Sequence, residues 1–195
     1  TDLDELTKTD NQLTLKGINR NTFSIVLETE NSYESFNNEH VKAITNIKSK
    51  NLNEYSRVIL IDRITTFVAQ NLGPSKQEKI VVSNEDYERE PFYGLNELPA
   101  FISPFNEDFI FELKFLKTYL NNYLYSQLHI NFRKDHWILE GIQHYFIKKY
   151  IDEFYPDMKA FGKLADFKIL KGYKIINMPF SEQFLYNFLL MARKN

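Results

Sequence analysis

The chain has 195 residues, no Cys, 17 Phe, 12 Tyr and a formal net charge of −2 at pH 7. That length suits one domain, and a 43% apolar share supplies a packed core and excludes a disordered chain. Without Cys there are no disulfides, thiolate metal sites or cysteine nucleophiles. A pI near 6.1 leaves no basic footprint for nucleic acid.

No segment reaches the roughly 18 uninterrupted apolar residues that a membrane helix needs, so no membrane span is expected. No signal peptide is visible, and a start at Thr1 suggests an excised or processed piece. The compartment is therefore open, with the cell envelope and secretion both allowed.

In chain order, residues 1–50 read as a β-rich leading segment. Thr1 to Gly17 is polar and charged, with one strand expected at Gln12–Lys16. Thr22–Glu28 is β-rich with partial alternation, a second strand. Asn31–Glu39 reads as a turn-rich polar loop, and Val41–Ile47 alternates again as a strand. Glu54 to Leu72 is the first long helix: Val58, Ile61, Ile64, Val68 and Leu72 share one stripe, and Gly73-Pro74 ends it. Lys79–Ser83 is a short apolar run expected as an interior strand. Asn84–Pro91, with Glu85, Asp86, Glu88 and Glu90, reads as a charged loop.

Two helices follow. The first, Glu107 to Leu128, repeats Phe109, Leu113, Leu116, Leu120 and Leu124 in steps of three and four. The second, Asp135 to Phe154, has Asp135 as its expected N-cap and stops at Tyr155-Pro156. Beyond it, Met158 to Phe167 reads as a short helix and loop interrupted by glycines. Ser181 then caps a final helix carrying Phe184, Leu185, Phe188 and Leu189.

The second helix holds Trp137, Glu140, Gly141, Ile142 and Tyr145. That spacing resembles the helix of gluzincin metallopeptidases, the aminopeptidase N type in particular, that supplies the third zinc ligand. Leu139 stands where that family prefers Asn. The resemblance places the H-E-x-x-H box eighteen residues earlier, on Lys117-Thr118-Tyr119-Leu120-Asn121, where neither histidine nor the catalytic Glu is present. Gly94-Leu95-Asn96-Glu97-Leu98 resembles the family's edge-strand segment, which implies a peptide-amine-binding role for Glu97. The likeness runs from about Glu54 to Asn195.

A gluzincin needs two imidazoles one helical turn apart and a carboxylate from the next helix, with water in the open position. Lys117 brings a cation and donates only. Thr118 is no general base at neutral pH, and Asn121 is a poor zinc ligand. Lys117, Thr118, Asn121 and Glu140 are therefore expected as vestigial zinc-site positions, with no bound metal or other cofactor. A Lys117–Glu140 or Asn121–Glu140 contact should replace the ion. His136, Glu140 and His144 share a stripe, but the two histidines lie about 12 Å apart along the axis, too far to share one ion.

The expected architecture is α+β: a single peptidase-like domain, residues 1–195, whose residues 54–195 form a gluzincin-like, thermolysin-like core. It has a small mixed sheet and a helix-rich C-terminal half. The expected function is non-catalytic, binding a peptide or protein partner in a cleft lined by the Tyr119 side, or serving as a scaffold. The alternative is an active zinc aminopeptidase or a fragment of one.

Overall fold

The computed structural model describes residues 1–18, 23, 25, 26, 32–49, 51–92, 95, 104–131, 134–169 and 172–182. The architecture over these residues is α+β. An antiparallel hairpin pairs β1 (Glu5–Thr9) with β2 (Gln12–Lys16). A separate sheet runs in the order β3 (Glu34–Asn37), β4 (Lys42–Thr45), β5 (Lys79–Val82). It is mixed: β3 and β4 are antiparallel, whereas β4 and β5 are parallel and joined through α1 (Glu54–Leu72).

Parallel strands need a long crossover, and α1 supplies it. Asn53 starts the helix by accepting from the Ser56 N–H. Gly73 ends it at φ +92°, a conformation that suits glycine. Of the expected stripe, Ile61, Ile64 and Val68 are buried in the common core, Leu72 is partly buried, and Val58 is exposed.

The short helix α2 (Asn84–Arg89) occupies the segment expected as a charged loop. Ser83 Oγ accepts from the Asp86 N–H at 3.0 Å, and Glu85 and Asp86 sit in the first turn, where negative charge is favoured. The buried Tyr87 anchors the turn. The expected loop at Asn31–Glu39 is likewise corrected, since its residues 34–37 form β3. Of the strand expected at Thr22–Glu28, residues 23, 25 and 26 are described and none of them is in a strand; the final helix beyond residue 182 lies outside the described residues, although residues 180–182 are already helical.

The centre of the molecule is α3 (Glu107–Gln127), which packs against β5, α1, α2 and α4 (His136–Phe154). Phe109, Leu113, Leu116, Leu120 and Leu124 are all buried, as their spacing implies. A second stripe, Phe111, Phe115, Tyr119 and Tyr123, stacks ring on ring at 5.9–6.3 Å along the same helix. Tyr119 therefore belongs to the core and lines no cleft. Tyr123 reaches the end of α1, donating its hydroxyl hydrogen to the Gly73 carbonyl at 2.8 Å.

One carboxylate sits inside this apolar packing. Glu112 of α3 is fully buried and takes Arg63 Nη2 of α1 at 2.6 Å on Oε1. The Tyr155 hydroxyl donates to the same oxygen, and the Tyr150 hydroxyl of α4 donates to Oε2. Burial lifts the Glu112 carboxyl above its ordinary range, and these donors pull it back. The same burial, with Glu112 beside them, pushes both phenols up, so they stay protonated and donate. The Arg63 guanidinium also lies over the Phe154 ring, 5.1 Å from its centroid.

After α4 comes η1 (Gly162–Asp166), a 3-10 turn, and then the short α5 (Lys174–Asn177). Gly162 has φ +48°, and a Cβ there would meet the Pro104 carbonyl oxygen at 2.2 Å. Only glycine allows that approach, which the Lys163 N–H uses to donate to Pro104 O at 2.9 Å.

Glu112→Ala should lower the unfolding free energy by about 3–5 kcal/mol, because Arg63 would be left without its carboxylate partner. Tyr150→Phe, removing one donor of three, should cost about 1.5–3 kcal/mol. Urea denaturation of the three proteins under one buffer measures both.

Candidate functional site

The site is built where α3 and α4 cross, around Lys117. On α3, Lys117, Asn121 and Tyr125 follow one another at four-residue steps and so share a stripe. The Lys117 ammonium donates to Gln143 Oε1 of α4 at 3.3 Å. Gln143 in turn donates from Nε2 to the Lys117 carbonyl at 2.8 Å. The reciprocal pair fixes the two helices side by side, and Gln143 is almost fully buried in making it.

Two carboxylates face this stripe. Burial pushes the Lys117 ammonium below the ordinary lysine range, while Glu90 and Glu140 pull it back up. Burial also raises the Tyr125 phenol, and the same two carboxylates add to the rise. Glu140 itself is half exposed and pairs with His136 Nε2 at 3.3 Å. The expected Lys117–Glu140 and Asn121–Glu140 bonds are therefore replaced: Lys117 bonds to Gln143 and acts on Glu140 through the field alone. The reason is reach, because Gln143, one turn further along α4, offers a buried oxygen directly opposite Lys117.

His144 completes the α4 side. Its Nδ1 donates to the Glu140 carbonyl at 2.6 Å. Burial lowers its pKa, the Glu140 carbonyl opposes that shift, and nearby Lys117 adds to it, so the ring is neutral at pH 7. Thr118 is buried and donates back to the Lys114 carbonyl at 3.1 Å, turned away from the stripe.

A cavity of about 330 Å³ opens beside Asn121 and Tyr125. Ile80 and Val81 of β5 form one wall, and Arg89 and Glu90 at the end of α2 form another. Asn122 spends its amide on the Val81 carbonyl at 2.6 Å, tying α3 to β5 at the cavity floor. Asp2 lines the opposite side and is nearly buried, next to Leu3, whose carbonyl accepts from Lys79 Nζ at 3.2 Å.

The structure thus brings Lys117, Asn121 and Glu140 to one helix crossing, and turns Thr118 away. Glu97 lies outside the described residues. Sequence reasoning missed Glu90, Gln143 and Tyr125. The i, i+8 position of Tyr125 on the Lys117 stripe and the i+3 position of Gln143 after Glu140 were the available signals. Among the described residues, no three His, Asp or Glu side chains converge on one point. At the Lys117 end, an ammonium and the neutral amide of Asn121 offer zinc no imidazole lone pair. No helix among the described residues is long and apolar enough to cross a membrane.

No protein-family model, curated protein or solved structure matches the chain.

The lowered Lys117 pKa has a defined sign for stability. Between its folded pKa and its unfolded value near 10.5, the unfolded chain binds the extra proton, so the contribution of Lys117 to stability rises with pH. The unfolding free energy of the wild type, taken relative to Lys117→Met, should therefore climb as the pH rises towards 10.5. Paired urea titrations across that range give the slope, and a flat or falling difference contradicts the assignment.

Proposed function

We propose that the chain is a gluzincin-like domain without peptidase activity, whose cavity beside α3 binds a peptide or partner chain. The observation that carries this reading is the Lys117 ammonium seated between α3 and α4 beside Glu140. In the resemblance drawn from Trp137, Glu140, Gly141 and Tyr145, that is the place of the first zinc-binding imidazole. A lysine there supplies one positive charge to the carboxylates without a metal, so the helix pair holds together with no ion.

Chemistry as well as charge argues against hydrolysis at this position. A metallopeptidase needs a zinc-bound water and a carboxylate base beside it. Thr118, at the base position, is buried and bonded to its own helix. What remains is a recess with an apolar wall from Ile80 and Val81 and a polar rim from Asn121, Tyr125, Arg89 and Glu90. Such a mixture suits a peptide, whose backbone needs donors and acceptors while its side chains seek apolar walls.

Two measurements test the proposal. Purified protein should hold fewer than about 0.1 zinc per chain and release no aniline from aminoacyl anilides. Replacing Lys117→His, Thr118→Glu and Asn121→His together should create a site that, with Glu140, takes up one zinc, while circular dichroism reports an intact fold. Stoichiometric zinc with hydrolysis in the unaltered protein would establish the active aminopeptidase instead. A folded triple variant that ignores zinc would remove the assignment of these four positions.

A further inference from the structure

Elsewhere on the molecule, the three-stranded sheet ends at β3, and among the described residues no strand pairs with its outer side. The Asn38 N–H donates to the Val41 carbonyl at 3.3 Å to close the β3–β4 hairpin. Antiparallel pairing alternates, so Phe36 and Glu34 exchange bonds with β4 while the N–H and C=O groups of Ser35 and Asn37 point outward. An open edge of this kind is a template for another strand.

Under that edge lies a groove of about 370 Å³ between β3 and α1. Its α1 wall is the stripe Glu54, Val58, Ile61, Asp62, Thr65. Ile61 is buried, but Val58 remains 43% exposed, and its neighbour Ile59 is 48% exposed. Among the described residues, no strand covers them. Carboxylates stand on both sides of Val58, and no basic side chain lines the groove among the described residues.

We infer that the β3 edge and the α1 stripe beneath it form a docking site for one extended partner segment patterned basic, any residue, apolar, any residue, basic. The spacing supports that pattern. Glu54, Val58 and Asp62 succeed one another at about 6 Å along the helix. Alternate residues of a strand rise by about 6.6 Å, so three same-face side chains match the acidic, apolar and acidic positions in turn. Asp62 Oδ1 already accepts from Asn38 Nδ2 at 2.9 Å, which holds its carboxylate towards the groove. A second copy of this chain is the poorer occupant, because β3-to-β3 pairing would bring Glu54 and Asp62 of both copies together.

A fluorescein-labelled peptide, Thr-Lys-Thr-Val-Thr-Lys-Thr, tests the site by fluorescence polarisation with the whole chain. It should bind saturably, and Glu54→Gln with Asp62→Asn should weaken it at least about tenfold, while circular dichroism stays unchanged. The same peptide with Glu for Lys, or with N-methyl groups on alternate amides of its edge-facing side, should not bind. Failure of the lysine peptide to bind overturns the proposal. So does binding that survives the double substitution or both patterns of alternate N-methylation, and so does a dimer by light scattering that Val58→Glu dissociates.

Discussion

The fold depends on a carboxylate placed where a carboxylate is most expensive to keep. Glu112 has no solvent of its own and is held by one guanidinium and two phenols drawn from α1, α4 and the residue after α4. Each donor comes from an element that must already be in place. The cluster therefore couples the packing of three helices to one ionisable group, and a partly assembled state leaves that group unpaired in an apolar interior. Hydrophobic burial supplies most of the driving force, since Phe109, Leu113, Leu116 and Leu120 have no exposed surface. Burial alone would tolerate several rotations of α4 against α3. The Glu112 cluster tolerates one.

That single orientation fixes the other polar crossing. With Tyr150 tied to Glu112, α4 presents Gln143 nearly two turns earlier, against Lys117. The two contacts lie five residues apart on α3, one at the fully buried Glu112 and one at the half-buried Lys117. Between them, the α3–α4 register is specified at two points rather than by apolar contact alone. The aromatic stripe of Phe111, Phe115, Tyr119 and Tyr123 faces a third direction, and its last hydroxyl reaches the end of α1. The central helix is therefore buried on most of its circumference, and its polar stripe of Lys117, Asn121 and Tyr125 is left to form a site.

The long helices were legible in the sequence because several signals agreed at each. For α1, the apolar stripe and the Gly73-Pro74 stop point to the same element, and the structure adds the Asn53 cap. For α3, steps of three and four residues carried the reading; for α4 it was Asp135 at the start and Tyr155-Pro156 as a stop. Among the short elements, β2, β4 and β5 were legible as β-rich or apolar runs, whereas β3 and α2 were not. β3, with sequence Glu-Ser-Phe-Asn, buries little and sits at a sheet edge, so its polar residues imitate a turn. The acidic run after Ser83 imitates a loop, although Ser83 and one buried tyrosine suffice to hold a helical turn. Of the site, Lys117, Asn121 and Glu140 were found through the pattern around Trp137, whereas Glu90 comes from a distant element that no local spacing connects to them. Glu112 gave only one faint sign: a carboxylate on the arc between Phe115 and Leu116.

Glu112 and Lys117 of α3 differ in how firmly their charges are held. Glu112 is enclosed, has three donors for its oxygens, and can respond to little outside the protein. Lys117 is only partly enclosed, has one neutral partner and two carboxylates at longer range, and stands beside a cavity. A group whose charge is compensated at a distance is more easily re-partnered than one bonded on every oxygen, because moving the ammonium towards a ligand forfeits one neutral hydrogen bond. The adaptable polar chemistry of this molecule therefore sits at Lys117 and the rigid part at Glu112, five residues apart on one helix.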